Sequence, residues 1–426
     1  MNSNEIYVSL DIGTSSVKVI IGDMVNDSLN IIGVGNVKSE GLRKGSIVDI
    51  DDTVHSIKRA IEQAERMIGM EIRQVIVGVT GNHVSLQPCH GVVAVSSDNR
   101  EISDVDVARV IEAAQVISIP PEREIIDVIP KQFIVDGLDE ITDPRGMIGV
   151  RLEMEGTIIT GSKTILHNTL RCVERAGLDI LDITLHPLAA GSFALSKDEK
   201  SLGVALVDIG GGSTTIAIFE NGYLQATSVL PVGGDHITKD ISVGLRTTTE
   251  DAEKIKIKYG HAFYDHASEE EVFSVPTIGS DQQQQFNQVE LSDIIEARME
   301  EIYELVQAEI RRLGFSDLPG GIVLTGGVAN MQGVLELAQA IFQNRVRMAI
   351  PDYIGVREPQ YTTAVGLIQF AYKNARLKGR KHDREGHDIM EKRVQKQPQP
   401  KSKPEKQQSE EKMSTRMKKF LGYFFE

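Results

Sequence analysis

The feature that most constrains the fold of this chain is a turn motif that occurs twice, each time after an apolar strand. The N-terminal copy reads IYVSL followed by DIGTSSVK, and the second copy reads LGVALV followed by DIGGGSTT. Two further β-prone runs follow the turn in both places. The same order of strand, acidic residue, glycine turn, strand and strand indicates an internal duplication of one α/β unit.

Each copy also contains a segment whose apolar residues are spaced as in an amphipathic helix. In the first copy, apolar residues recur at helical spacing between Val54 and Ile68, and the second copy contains a long amphipathic pattern from Ile294 to Leu313. The stretch 84–161 has its own helix around Val105 to Val116 and several β-prone runs, which predicts a small inserted α+β subdomain.

The length of 426 residues is too great for one compact core, so we expect several domains. The predicted segments are the first half (1–83), the inserted subdomain (84–161), the continuation of the first half with a connecting helix (162–200), the second half (201–350), a connecting helix that returns to the first half (351–375), a linker (376–412) and a terminal amphipathic helix (413–426).

Both turns have the composition of phosphate-binding loops. Gly13 allows a tight bend beside hydroxyl side chains, and the three glycines at 210–212 leave the backbone accessible to a phosphate. Asp11 and Asp208 would repel phosphate directly, so they predict a hydrated Mg²⁺ between the carboxylates and the phosphate. A third motif, IVLTGGVANMQG at 322–333, combines an apolar strand, two glycines and a helix start, which suits close approach of a base or ribose.

Together these three motifs resemble the phosphate-1, phosphate-2 and adenosine motifs of the superfamily of actin, sugar kinases and DnaK chaperones. The resemblance implies an α/β, two-lobed actin-like ATPase fold with duplicated ribonuclease-H-like halves, which binds ATP and Mg²⁺. The residues that it implies as nucleotide ligands are Asp11, Gly13, Thr14, Ser15, Ser16, Lys18, Asp208, Gly210, Gly211, Gly212, Ser213, Thr214, Gly326, Gly327 and Met331. Asp11 and Asp208 would hold the metal through water.

Other segments extend this resemblance. The motifs HPLAAGSFAL and PQYTTAVGLIQFA match the two connecting helices, which cross at the hinge in the superfamily. The small residues that would permit the crossing are Ala189, Ala190, Gly191, Ala364 and Gly366. The segment TTEDAEKIK resembles the adenosine-side helix of bacterial actins, which implies that Glu253 and Lys256 lie near the ribose and base. An ordinary surface pair at i,i+3 is the alternative.

Within the superfamily the chain is similar to the FtsA family of bacterial cell-division actins over essentially its whole length. The insertion follows VIVGVTG, PRGMIGVRLE resembles its ending, and a proline- and glutamine-rich linker precedes a terminal amphipathic helix. The resemblance implies a filament-forming adaptor at the division septum, on the cytoplasmic face of the plasma membrane. It would bind other division proteins and the C-terminal peptide of FtsZ, the latter through residues 245–312.

Two other classes of protein remain as alternatives. One is a PilM-like adaptor in pilus assembly, although PilM proteins end near the ATPase core. The other is an enzyme such as a chaperone ATPase or a sugar kinase. A chaperone would need a substrate-binding β-domain after the ATPase, and a kinase would need a catalytic carboxylate that no motif here marks.

Hydrolysis is predicted to be weak at most. Related ATPases position the attacking water with a Gln or Glu at the first connecting helix. In MreB and the chaperones an acidic residue precedes the proline of this motif, whereas His186 precedes Pro187 here. A neutral imidazole could orient water, but it is a weaker acceptor than a carboxylate. A packed helix-start residue is the alternative role for His186. The segment HAFYDH at 261–266 is interpreted as a solvated loop and not as a metal site.

The charge of the chain is unevenly distributed. The whole chain carries −15, whereas residues 376–426 contain 15 basic and 8 acidic residues, so the rest carries −22. An acidic body argues against general binding of nucleic acid. The basic tail predicts contact with anionic lipid, with a merely solvated linker as the alternative. Two cysteines, no signal peptide and no transmembrane span favour a reducing cytosol.

The tail falls into a polar and an apolar part. The run QKQPQPKSKPEKQQSEEK has almost nothing to bury and is predicted to be disordered. The last residues are predicted to form a membrane-targeting helix. An apolar stripe and flanking basic residues would contact the membrane, namely Met413, Met417, Phe420, Leu421, Phe424 and Phe425 with Arg416, Lys418 and Lys419. Docking of this helix on the protein body is the alternative.

Overall fold

The computed structural model describes residues 5–81, 83–279 and 283–377. The predicted terminal helix at 413–426 and nearly all of the predicted linker lie outside these residues. None of the helices in the described part of the chain combines the length and apolar character needed to cross a membrane.

The first half begins with three antiparallel strands, a small hairpin, a long helix and a further strand. These elements are β1 (Glu5–Ile12), β2 (Ser16–Val25), β3 (Ser28–Lys38), β4 (Leu42–Arg43), β5 (Ser46–Ile47), α1 (Ile50–Ile68) and β6 (Gln74–Val79). Asp49 caps α1 by accepting a hydrogen bond from Asp52 N–H, and Gly69 ends the helix with φ of 66°. The apolar stripe predicted for α1 packs on the sheet, with Val54, Ile57 and Ile61 buried.

The inserted subdomain leaves the first half after β6. It consists of β7 (Ser85–Ala94), α2 (Asp104–Ala113), β8 (Arg123–Val135), β9 (Leu138–Ile141) and β10 (Arg151–Ser162). The strands form one antiparallel sheet in the order β7-β10-β8-β9, and α2 packs on it over a separate small core. The last strand of the subdomain, β10, begins at Arg151, and the preceding Ile148 makes an isolated bridge to Glu101.

The chain then completes the first half and enters the second. The elements are α3 (Lys163–Arg175), β11 (Asp179–Leu185), α4 (His186–Ala194), α5 (Lys197–Leu202), β12 (Val204–Ile209), β13 (Thr214–Glu220), β14 (Tyr223–Leu230), α6 (Gly234–Gly244), α7 (Thr249–Tyr259), β15 (Val272–Pro276), β16 (Gln283–Asn287), α8 (Gln288–Arg312), β17 (Ile322–Thr325), α9 (Val334–Phe342), β18 (Val346–Met348) and α10 (Thr362–Leu377). The long helix predicted from Ile294 is α8, which begins six residues earlier behind a capping box at Asn287.

The two central sheets have the same topology, which confirms the predicted duplication. The first has the order β3-β2-β1-β6-β11 and the second β14-β13-β12-β17-β18. In both, three antiparallel strands are followed by two parallel ones, with β6 beside β1 and β17 beside β12. Because each acidic turn joins the first and second strands of its half, the turns occupy equivalent positions.

Helices α4 and α10 pack against each other between the halves. A Cβ atom on Gly366 would overlap the carbonyl oxygen of Ala189, so the backbones approach too closely for any larger residue. The crossing predicted from the small residues of both helices is therefore confirmed. Their buried faces share one core with Tyr7, Ile20 and Ile76 of the first sheet.

Candidate functional site

Both acidic turns close with the same hydrogen bond. The N–H of Gly13 donates to the carbonyl of Ser16 at 3.1 Å, and the N–H of Gly210 donates to the carbonyl of Ser213 at 3.0 Å. The first turn is further supported by the hairpin that follows β3, where the N–H of Gly45 donates to Thr14 Oγ1 at 3.1 Å. Each turn therefore holds its backbone in a fixed shape at one end of its sheet.

The two turns meet across the cleft between the halves. A Cβ on Gly211 would overlap the hydroxyl oxygen of Ser15, and a Cβ on Gly212 would collide with the side chain of Thr14. These glycines were predicted to clear space for a phosphate, and they also clear space for the opposite turn. The predicted ligand Thr214 is fully buried, and its hydroxyl donates to the carbonyl of Val232 at 2.8 Å. This hydroxyl therefore connects the second turn to the segment after β14.

Asp11 lies beside two cationic or potentially cationic groups. Its carboxylate is 3.5 Å from Lys18 Nζ and 3.4 Å from His186 Nε2, and both Asp11 and Lys18 are buried. Lys18 is the residue opposite Asp11 in the β1–β2 ladder, so the strand register itself sets this ion pair. Lys18 therefore neutralises Asp11 instead of pointing freely at a phosphate.

Asp208 lies in a different environment on the other side of the cleft. Its Oδ2 accepts a hydrogen bond from the hydroxyl of Thr363 on α10 at 3.2 Å. Burial raises the pKa of Asp208, and the nearby Asp11 carboxylate raises it further, while Lys18, His186 and Thr363 oppose the shift. The two carboxylates thus repel each other, which favours a cation between them.

His186 is the first residue of α4 and packs on the first sheet. A Cβ on Gly78 would overlap its imidazole, so a glycine is required beneath the ring. Nε2 is buried and makes no hydrogen bond of good geometry within the described residues, although Asp11 lies 3.4 Å away. His186 is therefore a packed helix-start residue, as one interpretation held, and it also borders the acidic cleft.

The adenosine motif contains two glycines with opposite surroundings. Gly326 has φ of 96°, and a Cβ there would collide with Asp208 and with the backbone of Ile209. Gly327 has ordinary helical dihedrals, and a Cβ there would meet no described atom within 4 Å. Gly326 is thus needed for the turn itself, whereas Gly327 borders open space. Met331 packs against the core of the second half.

Glu253 and Lys256 do not form an ordinary surface pair, because Lys256 is only 7% exposed. Lys256 Nζ donates to the Gly234 carbonyl at 3.1 Å, to Thr238 Oγ1 at 2.7 Å and to Glu253 at 2.6 Å. Thr238 also bonds to Glu253. These contacts attach α7 to the start of α6, which in turn packs on the second turn through the bond from Gly234 N–H to Gly210.

The site fits a hydrated Mg²⁺ better than a directly bound metal. The described residues contain no group of three or more His, Cys, Asp and Glu side chains that could hold a metal ion. Asp11 and Asp208 supply two carboxylates, so the remaining oxygens of an octahedral shell would come from water and phosphate. The mutual repulsion of these carboxylates supports this interpretation.

Four residues of the cleft escaped the sequence analysis. Gly78 and Thr363 become recognisable only through their three-dimensional contacts with His186 and Asp208. Gly234 and Asp235 carried a signal, because GGD follows a strand and opens a helix. The interpretation of 261–266 as a solvated loop is confirmed for the exposed residues 264–266 and wrong for His261, which is buried and bridges to Gln332.

Comparison with known proteins identifies the relatives of this chain. A family model described as cell division protein FtsA matches residues 205–366, and a model of the SHS2 domain inserted in FtsA matches residues 81–160. The cell division protein FtsA of Bacillus subtilis is 62% identical, and that of Enterococcus hirae is 41% identical, each over the full length of both chains.

Solved structures confirm the predicted actin-like fold. A chain of a PilM–PilN type IV pilus biogenesis complex superposes with a TM-score of 0.58 at 16% identity, covering 86% of this chain and 98% of that chain. MreB5 of Spiroplasma citri bound to ADP gives 0.54 at 16% identity, covering 88% and 98%. The likeness to the chain of the pilus complex is one of fold alone, whereas the full-length relatives are cell division proteins. The chain therefore belongs to the FtsA family of cell division proteins.

Proposed function

We propose that the chain binds ATP with Mg²⁺ between its two halves. The observation that carries this proposal is the pairing of two equivalent turns, Gly13–Ser16 and Gly210–Ser213, across a cleft that contains two repelling carboxylates. The phosphates would contact the turns, the hydrated cation would lie near Asp11 and Asp208, and the adenosine would lie beside Gly327. Bound Mg²⁺ would neutralise phosphate charge. MreB5, a structural neighbour, has been solved with ADP.

Isothermal titration with ATP and Mg²⁺ tests this site. Asp208→Ala removes an anchor of the hydrated cation, and Gly327→Val places a side chain in the open space of the adenosine side. Asp198→Ala, which removes a carboxylate from α5, is the control. Weaker binding by the two site variants, with the control unchanged, supports the proposal. Unchanged affinity in both folded variants would remove the actin-like site.

Hydrolysis is proposed to be slow. His186 replaces the carboxylate or amide that orients water in faster ATPases, and its ring is fixed by packing on Gly78. We expect turnover below that of chaperone-type ATPases, measured as phosphate release from the purified protein. A brisk ATPase would show that His186 orients water effectively.

The second part of the proposal is that the chain is an adaptor between the FtsZ ring, other division proteins and the membrane. Family membership supports this role. In the second half, the large apolar residues Val243, Ile257 and Ile278 are at least 66% exposed in and beside the proposed FtsZ region at 245–312, which suits an interaction surface.

Fluorescence anisotropy with a labelled C-terminal peptide of FtsZ tests this partner. A chain truncated after Ala375 keeps the second half and lacks the tail, so we expect it to bind the peptide as the full chain does. Failure of the truncated chain to bind, while it still binds ATP, would contradict the proposed location.

The third part is membrane attachment through residues 413–426, which would place the protein at the cytoplasmic face of the septum. Attraction to anionic lipid is about 1 kcal/mol per basic residue near the surface. Partial burial of the apolar stripe adds to this attraction, whereas the conformational entropy lost when the helix becomes ordered opposes it. Net binding of one chain is therefore marginal, and filaments that present many tails would supply avidity. The 37 residues from 376 to 412 span roughly 30–37 Å as a coil, enough to reach a membrane.

Co-sedimentation with anionic liposomes tests the tail. Phe420→Glu and Phe424→Glu place charges in the apolar stripe and should release the protein, whereas Thr415→Glu, on the opposite face of the predicted helix, is the matched control for added negative charge. Retention of the double mutant on liposomes would exclude the tail as the anchor.

A further inference from the structure

The two phosphate turns are linked by a polar contact that involves an acidic residue. Ser15 Oγ, in the first turn, donates to Oδ1 of Asp235 in the second half at 3.4 Å. Both side chains lie where the cleft is accessible to solvent. Asp235 is in the first turn of α6, and its N–H donates to the carbonyl of Gly211 at 2.8 Å. Its position relative to the second turn is therefore fixed by the backbone.

The backbone N–H groups at the start of α6 already have hydrogen-bond acceptors within the protein. The amides of Gly234 and Asp235 donate to carbonyls of the second turn, and that of His236 donates to Gly233, so these three N–H groups are not free for phosphate. The helix terminus still favours negative charge through its dipole. The carboxylate of Asp235 supplies that charge from within the protein.

Little space separates the turns at this point. A Cβ on Gly211 would overlap Ser15 Oγ and approach Asp235 Oδ1 to 2.9 Å. A phosphate oxygen between the turns would compete with Asp235 for Ser15, because the serine hydroxyl has only one proton to donate. The phosphate would also lie close to a carboxylate of the same charge.

We propose that Asp235 is a built-in competitor of the nucleotide phosphates, which holds Ser15 when the cleft is empty and releases it when phosphate enters. This inference rests on the proposed binding of ATP at the same turns. Asp235 thus lowers the affinity of the cleft for nucleotide phosphates and stabilises the contact between the halves in the nucleotide-free protein. It contributes to specificity for phosphate carrying a cation, since Mg²⁺ offsets the repulsion.

The first experiment compares Asp235→Ala and Asp235→Asn with the wild type in titrations with ATP, inorganic tripolyphosphate and adenosine. Loss of one like charge at a partly exposed site should tighten ATP and tripolyphosphate binding about three- to tenfold, most strongly without Mg²⁺. The Asn variant should gain slightly less, because its amide oxygen still accepts from Ser15. Adenosine affinity should stay unchanged. Asp198→Ala, in the first turn of α5, is the control for removing a helix-start carboxylate.

The second experiment examines the nucleotide-free protein by hydrogen–deuterium exchange. Asp235→Ala should speed exchange in residues 12–16 and 210–214, whereas the control should not. Weaker tripolyphosphate binding in Asp235→Ala would overturn the inference by showing that Asp235 helps to hold phosphate or its cation. Unchanged binding together with unchanged exchange would overturn it as well. If the wild type bound no nucleotide, the proposed function would fail, while the exchange result would still decide whether Asp235 links the turns.

Discussion

The partly buried Asp208 of the cleft and the buried Asp106 of the inserted subdomain differ in how well the protein stabilises their charge. Asp106 in α2 is fully buried and accepts hydrogen bonds from the N–H and hydroxyl groups of both Ser96 and Ser103, with Arg109 close by. Burial acts to raise the pKa of Asp106, but these hydrogen bonds outweigh it and hold the pKa well below its usual range. Asp208 has one hydrogen bond from Thr363 and a raised pKa.

This difference separates a carboxylate that the protein itself stabilises from one that we propose to lie near a bound cation. Asp106 ties the loop after β7 to α2 and is stabilised by the protein alone. The charge on Asp208 is poorly stabilised by the protein, so it is stabilised further only when a cation binds. Carboxylates whose pKa is raised by burial and by a like charge are found more often at binding and catalytic sites than elsewhere.

The largest expected effect is that of Asp106→Ala, because it removes the buried acceptor of four hydrogen bonds from Ser96 and Ser103. We expect the inserted subdomain to lose about 3–4 kcal/mol of stability. Hydrogen–deuterium exchange of residues 85–162 measures this locally, which is needed since a chain of several domains does not unfold in one step. Asp98→Asn, with an exposed carboxylate in the same subdomain, is the control.

The pH dependence of Asp106 follows from the sign of its shift. Its pKa is lower in the folded than in the unfolded state, so the stabilisation is present above the unfolded pKa of about 4 and is lost as the pH falls below it. Exchange in residues 85–162 should therefore approach that of the Ala variant on acidification. A wild-type subdomain as stable at pH 3 as at pH 7 would contradict this account.

The next largest loss of stability is expected at Gly326, where a side chain would collide with the Asp208 carboxylate. Gly326→Ala introduces a side chain at φ of 96° and against the Asp208 carboxylate, so we expect a loss of about 2–3 kcal/mol in the second half. Gly327→Ala, one residue later, points into open space and should change stability by less than about 1 kcal/mol. Thermal unfolding of both variants checks the contrast. Equal losses would mean that Asp208 does not need the neighbouring glycine.

Smaller changes in folding stability are expected from Asp208→Asn and Asp11→Asn, and the two changes should have opposite signs. The pKa of Asp208 is raised in the folded state, so Asp208 contributes to stability while it is protonated at low pH. That contribution is lost as the pH rises through the raised pKa. Asp208→Asn should therefore stabilise the nucleotide-free protein at pH 7 by about 1 kcal/mol. Asp11→Asn leaves the buried Lys18 without its partner and should destabilise it by about 1–2 kcal/mol. Melting curves at pH 7 without Mg²⁺ compare the two, and shifts of the same sign would contradict this assignment.

The sequence predicted those parts of the molecule that depend on local chemistry. The duplicated strands, the acidic turns, the amphipathic α1 and the crossing at Gly366 all leave local patterns of apolar and small residues. The partners across the cleft could not be predicted, because Gly78 and His186 are 108 positions apart and Thr363 lies 155 positions from Asp208. The sequence likewise placed Lys18 among the nucleotide ligands without its partner, whereas strand register pairs it with Asp11.

The smallest expected effect is that of substituting His186 on ATP affinity. His186 borders the cleft, but its ring packs on Gly78. His186→Gln keeps a polar side chain of smaller volume above Gly78, so we expect ATP affinity to change less than about twofold. Phosphate release should rise modestly if an amide oxygen orients water better than the imidazole does. Gly78→Ala instead pushes the residue at 186 off the sheet and should disturb Asp11 with it, because His186 Nε2 lies 3.4 Å from that carboxylate. A strong loss of binding in His186→Gln, with Gly78→Ala unaffected, would show that the imidazole binds nucleotide directly instead of lining the cleft wall.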